Sequence, residues 1–387
     1  MERIAIIGVG SVEYGDHRTV PCRTLGAQAV IRALEDAKIS WDRIDCAYVG
    51  YGITGLLDGQ EGMIGQLALR EVGITGIPIT RVENACSSSS CAVRESAIAI
   101  RAGESEIALA FGVEKMLGYS TEDAMRALAG DGDVPLESNI GLTFPGVFAI
   151  AAQTHMREFG TPREALAAVA EKAHANASLN PHAHLRNPIT RDEALNGRIV
   201  ADPLTIYDCC PISDGASAVV LASERIAKSH PGPVVWLDAC VLATGTYDSI
   251  SMTSFEATRR ASQQAYECAG IGPNDIDIAE VHDCFTIAEI MHTEDLGFFE
   301  KGDGGFATLR GDTQINGKKP INASGGLKAK GHPVGATGAG QLVEVTKQLR
   351  REAGERQVEG AKTALTHCMG GFFAQDCGSI VINVVSR

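Results

Sequence analysis

ALEDAKISWDRIDCAYVGYG, from Ala33 to Gly52, decides the fold, because the chain carries a second version of it, AYECAGIGPNDIDIAEVHDC, from Ala265 to Cys284. The two align without gaps and agree at Ala33/Ala265, Glu35/Glu267, Ala37/Ala269, Ile39/Ile271, Ile44/Ile276 and Asp45/Asp277. Each reads as a helix, a turn and a buried strand. Further matches follow in the same order. Asn84-Ala85-Cys86, before a run of small residues, answers to Asn322-Ala323-Ser324 before a glycine-rich turn, and DGASAVVLAS from Asp214 resembles DCGSIVINVVS from Asp376. Chance gives one such match; three in order imply two homologous α/β halves.

The neighbouring segments fit that reading. Apolar runs and flanking glycines predict strands over 3–8, 46–50 and 107–113, and helical spacing predicts helices over 24–38 and 91–102. The second half repeats the pattern from Val234 and ends on a strand over 379–385. Residues 1–116 and 209–232 form the N-terminal half and 233–387 the C-terminal half. Between them, 117–208 is an inserted segment of polar loops, a helix around Pro162 to Leu179 and a stretch rich in His, Asn, Pro and Arg. Such an insertion serves either as a binding lid or as a packing or oligomerisation arm.

Composition sets limits on function. The chain has 387 residues, 44% of them hydrophobic, and 43 glycines, enough to bury a large layered core. A formal charge of −14 argues against nucleic acid or an anionic membrane as the partner. No run of about 18 apolar residues is present, and MERIAIIGVG lacks the features of a signal peptide. The expected location is the cytoplasm. Eleven cysteines without CxxC spacing suggest neither a disulfide framework nor a metal ribbon, so no metal is expected.

Three motifs carry chemistry. VENACSSSSCA (Val82 to Ala92) puts Cys86 at a strand end before a helix, where free N–H groups favour a thiolate; a buried structural cysteine is the alternative. GGLKAKGHPVGATG (Gly325 to Gly338) holds His332 in a rigid turn, as a base for that thiol or as an exposed turn histidine. VHDCF (Val281 to Phe285) offers His282 and Cys284 at a strand end, where a core histidine or a metal ligand are the other readings. One nucleophile and two histidines are the kit for acyl transfer through a cysteine thioester.

These motifs, with GLTFPGVFAIAAQTHM (Gly141 to Met156) and YDCCPISDGASAVVL (Tyr207 to Leu221), resemble those of the thiolases of the sterol-carrier-protein-2 type, from about residue 3 to the C-terminus. The resemblance implies a five-layered αβαβα thiolase fold with the insertion over an acyl-CoA site. It implies Cys86 as the acylated nucleophile, His332 as its base, His282 beside His332 on the thioester oxygen, and Cys284 as the second acid/base. The backbone N–H groups of Cys86 and Gly370 would form a second oxyanion site. One stretch departs from the pattern: His367-Cys368-Met369-Gly370-Gly371 supplies Cys368 as a rival acid/base. Phe372 and Phe373 then fall where the acyl group should lie, either as core or as the wall of a pocket for a bulky or aryl group like that of the benzoylsuccinyl-CoA thiolases.

Coenzyme A is the implied co-substrate, with no permanently bound cofactor. His182, His184, Arg186, Arg191, Lys328 and Lys330 are candidates for its phosphates. The implied partners are a second copy, as homodimer or dimer of dimers, and a small zinc-ribbon/OB-fold protein. No fused sterol-carrier domain is expected after the last strand. Two other readings remain: a ketosynthase-like acyltransferase with a non-CoA acceptor, and a silent acyl-CoA-binding scaffold.

Overall fold

The computed structural model describes residues 2–246, 251–373 and 376–387, with the side chain of Phe373 excepted. Nine strands make one sheet: β1 (Ile4–Ser11), β2 (Cys46–Gly50), β3 (Ile79–Val82), β4 (Ile107–Glu114), β7 (Gly215–Ser223), β8 (Val235–Ala243), β9 (Ile278–Glu280), β10 (Thr363–Phe373) and β11 (Asp376–Ser386). A separate hairpin joins β5 (Ile199–Ala201) to β6 (Leu204–Thr205). The order is β3-β2-β4-β7-β1-β8-β11-β10-β9. From the central β1/β8 pair outward, each side runs through the same succession: first strand, last strand, fourth strand, second strand. The third strand of the second half is reduced to a single parallel bridge between Ala279 and Ile321. Directions agree too: β2 is parallel to β3 and β4, β9 is parallel to β10 and to the Ile321 bridge, and the remaining neighbours in each half are antiparallel.

The aligned aspartates show why the two halves repeat. Asp45 accepts hydrogen bonds from the backbone N–H groups of Glu106 and Ile107 as β4 begins, and Asp277 accepts them from Lys362 and Thr363 as β10 begins. Each carboxylate fastens the start of the neighbouring strand beside its own, pairing the first N–H groups at that strand's end.

Helices Ser88–Arg101 and Thr337–Arg350 pack against each other and against strands of both halves, forming the middle layer. Helix Cys22–Ala37 covers the outside of the first half and Glu256–Ala269 the outside of the second. The result is five layers, αβαβα. Close approach of the middle helices explains their small residues: a Cβ on Gly338 would lie 1.9 Å from Ser90 Oγ.

Boundaries differ from the sequence reading by a few residues. The middle helix of the first half starts at Ser88 rather than 91, and the last strand runs from Asp376 rather than 379. The segment 117–208 is more helical than its polar composition implies. Besides Arg163–Ser178, it forms helices Thr121–Ala129, Phe144–Phe159 and Arg191–Leu195. Ser120 and Thr143 each cap the following helix with a side-chain oxygen, a start signal that the sequence contained.

Candidate active site

The nucleophile turn is built by strain. Ala85 stands at φ +49°, left-handed backbone that costs a non-glycine residue about 1–2 kcal/mol. Its N–H is held by Glu83 Oε1 at 2.6 Å, and its carbonyl accepts from Ser88 Oγ at 2.6 Å. The turn presents Cys86, half-buried, just before the N-terminus of helix Ser88–Arg101.

His332 meets it from the other half. Its Nε2 lies 3.1 Å from Cys86 Sγ and its Nδ1 2.7 Å from Thr337 Oγ1. The Thr337 hydroxyl donates to the Pro333 carbonyl at 3.0 Å, so it must accept from Nδ1–H. The hydrogen-bond network therefore assigns Nε2 the free lone pair that receives the thiol proton. Burial, and then the charge of Lys330, push His332 down to about 3, so the imidazole is neutral at ordinary pH. Burial raises the Cys86 thiol well above its usual value, and the Asp131 carboxyl, where ionised, raises it further. The resting pair is thus S–H···N rather than an ion pair.

His282 stands with its ring perpendicular to that of His332, at 88° and 5.2 Å between centroids. It is buried and held well below its ordinary value, first by burial and then by His332 and His367. Cys368 is fully buried on β10, donating to the Cys86 carbonyl at 3.2 Å with His282 Nδ1 at 3.9 Å. Its thiol is pushed up to about 12, chiefly by burial. Cys284 is positioned through its carbonyl, which accepts from Cys210 N–H at 2.9 Å, while Phe285 bridges to Cys209. Burial raises its thiol well above the usual value, and Cys210 adds to this.

Gly370 lies where β10 passes the nucleophile turn. A Cβ there would be 2.1 Å from the Asn84 carbonyl, so only glycine permits the approach.

Several predicted phosphate ligands are spent inside the fold. Lys328 is buried and donates to the Cys209 carbonyl at 2.6 Å, and Lys330 is buried with its Nζ 3.4 Å from the Gly340 carbonyl. Arg191 pairs with Glu171 at 2.8 Å, and His184 bonds Ser213 Oγ. Arg186 is exposed and His182 half-buried. The two lysines, which sequence placed beside the histidine turn for CoA, are packing and positioning residues instead.

Two residues escaped the sequence reading. Glu114 ends β4, and its carboxylate accepts from the N–H groups of Gly52, Thr54 and Gly335 and from the Thr54 hydroxyl, tying the His332 turn to the first half. An acid closing an apolar strand was its signal. Asp131 has a buried carboxylate oxygen with no hydrogen-bond partner among the described residues. Burial, then Glu83 and Glu114, raise it to about 8. No sequence signal marked it.

Two family models match most of the chain. Residues 4–225 match the thiolase N-terminal domain and residues 244–383 the thiolase C-terminal domain-like family. The chain belongs to the thiolase family. An acetyl-CoA acetyltransferase of Methanothermobacter thermautotrophicus is 43% identical over 100% of both chains. Sterol carrier protein 2 of Homo sapiens is 37% identical, across 96% of this chain and 70% of its own length. The benzoylsuccinyl-CoA thiolase subunit BbsB of Thauera aromatica is 34% identical over 95% of each. Among solved structures, an Ltp2-ChsH2(DUF35) aldolase superposes with a TM-score of 0.84 at 23% identity, covering 100% of this chain and 98% of its own, and so shares the fold. This thiolase-family chain is an acyltransferase. Among the described residues, no helix is long and apolar enough to cross a membrane.

Proposed function

We propose that the chain cleaves, or in reverse forms, a β-ketoacyl-CoA through an acyl thioester on Cys86. The contact that carries the reading is Cys86 Sγ to His332 Nε2 at 3.1 Å, with the Nδ1 hydrogen bond fixing the base. Sγ bonds the keto carbon while its proton passes to Nε2. The carbon–carbon bond then breaks, leaving an acyl-enzyme and an enolate thioester. His282 and His332 hold the enolate's thioester oxygen, and the N–H groups of Cys86 and Gly370 take the oxygen on the acylated carbon.

Cys284 gives its proton to the enolate carbon and regains one from the incoming CoA thiol, whose sulfur takes the acyl group from Cys86, and the proton held on His332 Nε2 returns to the departing Cys86 sulfur. One observation supports Cys284 over Cys368 for this step: the Cys368 proton is already committed to the Cys86 carbonyl.

The acyl group in this reading is bulky or aryl. A cavity of about 100 Å³ lies against β10, lined by Met125, Leu142, Phe144, Val147 and Phe372. An apolar cavity of roughly 150 Å³ takes up benzene, so this smaller space, edged also by Glu137, Ser138 and Thr143, suits a short branched chain and takes a ring once its walls give way. The inserted segment 117–208, which supplies four of those five residues, is the lid of the acyl-CoA site. Acyl-CoA and CoA are the small-molecule partners. A second copy and a small zinc-ribbon/OB-fold protein are the protein partners, a reading supported by the subunit status of BbsB and the DUF35 component of the aldolase. The acidic, thiol-rich chain suits the reducing cytoplasm.

The test is intact-protein mass spectrometry after brief exposure to aliphatic and aryl β-ketoacyl-CoA esters, with peptide mapping. An acyl adduct on Cys86, formed preferentially from aryl or branched esters, is expected. Folded protein that takes no adduct from any ester overturns the reading.

A further inference from the structure

Cys86, His282 and His332 each offer one donor atom, and the three atoms lie within 4.8 Å of one another. Zinc binds sulfur at about 2.3 Å and imidazole nitrogen at about 2.0–2.1 Å, so a tetrahedral site spaces its donors roughly 3.3–3.6 Å apart. Cys86 and His332 already stand at 3.1 Å. A contraction of at most about 1.5 Å, within reach of side-chain rotation, brings the third donor to the same spacing.

Other requirements are met by the same residues. His332 Nε2 keeps a free lone pair, because Nδ1–H is spent on the Thr337 hydroxyl. The Nδ1 bond to Thr337, itself anchored on Pro333, holds the His332 ring in the orientation that hydrogen-bonded metal-binding histidines adopt. One thiol and two imidazoles form a borderline-soft donor set, suited to zinc or cobalt and unsuited to magnesium or calcium.

We propose that Cys86, His282 and His332 form a three-ligand site for a borderline-soft divalent cation, zinc foremost, that closes the catalytic centre reversibly. The ion displaces the Cys86 thiol proton to solvent and forms Zn–S and two Zn–N bonds, with a water completing the tetrahedron. No electron is transferred. The inference concerns the same residues as the proposed acyl transfer but needs only their geometry.

The experiment titrates the full chain, first stripped with a chelator, with Zn2+ alone and separately with Co2+. Expected are one ion per chain, release of about one proton per ion at neutral pH, and a thiolate-to-cobalt absorption band. Cys86→Ser should remove the band, and His282→Ala should weaken binding tenfold or more. Cys268→Ser, at an exposed thiol, should change nothing. Zn2+ should also block iodoacetamide labelling of Cys86, with EDTA restoring it. Binding undiminished in both Cys86→Ser and His282→Ala, or no ion retained by folded protein, overturns the inference. Zinc held at Cys86 by protein that forms no acyl adduct would refute the acyl-transfer reading alone; adducts without zinc binding would refute this one alone.

Discussion

Cys86 and Ser324 occupy the same place in the two halves, and their fates differ. Each follows Asn-Ala. Ser324 is fully buried, its hydroxyl donating to Glu280 Oε2 and its N–H to Glu280 Oε1 at 3.0 Å. The insertion covers it: Asn176 donates to the Asn322 carbonyl and Asn180 to the Ser324 carbonyl. Cys86 is left half-buried, and the residue that reaches it is a histidine from the opposite half. The same turn becomes structural where a carboxylate and the insertion seal it. Where a histidine from the other half faces it, the turn leaves its thiol half-buried and hydrogen-bonded to that imidazole.

Exchanging the roles of those two residues tests this contrast most severely. Cys86→Ser should lose the acyl adduct entirely and at least about 10³-fold in turnover, because a serine hydroxyl beside a neutral imidazole is a far poorer nucleophile. Mass spectrometry and steady-state kinetics read this directly. Ser324→Ala should instead keep turnover per folded molecule and lose stability by about 1–3 kcal/mol, since Glu280 is left buried with one donor fewer. Denaturant titration measures the loss; a collapse of activity in the folded variant would mean that the second turn is not merely structural.

The two thiols around the site should separate next. Cys284→Ala is expected to slow α-proton exchange, followed by deuterium incorporation, by about 10²-fold, in the range of general acid–base contributions, and Cys368→Ala several-fold less. Equal losses would remove the assignment of the acid/base to Cys284.

Asp131→Asn gives the smallest effect. Its carboxyl is raised to about 8 in the fold against about 3.9 in the unfolded chain, so the native state binds the extra proton between those values. Stability from this group is therefore full below pH 4 and is lost as pH rises through 8. The variant should match the parent in Tm near pH 4 and exceed it near pH 9. Its Cys86 should alkylate at lower pH, because the carboxylate no longer opposes the thiolate. Unchanged alkylation and melting profiles would show that Asp131 stays neutral throughout.

Much of this was legible in the chain. The aligned aspartates Asp45 and Asp277 do the same work in both halves, so local patterning revealed the duplication. NACSSSS and GHP marked Cys86 and His332 because a thiol before a helix and a histidine between glycine and proline are local features. Lys328 and Lys330 were misread for the converse reason. Both stand in a glycine-rich loop that looks exposed, yet the packing of the two halves closes over them and turns their ammonium groups onto backbone carbonyls. The segment 117–208 was under-read as loop because its alanine-rich helices bury against the core, where composition says little about what covers them.

By itself the sequence determined the duplicated α/β architecture, the cysteine and histidine that the fold brings together, and the family they resemble. These follow from periodicity and from residues whose spacing along the chain already constrains their geometry. Only the tertiary structure decided that Asp131 lies against the nucleophile's surroundings, that Glu114 binds the two halves at the histidine turn, and that Cys368 spends its proton on the Cys86 carbonyl. Those facts depend on contacts between residues as many as 282 positions apart, as for Cys86 and Cys368. Burial and charge at such contacts are set by how the layers pack, which local sequence does not encode.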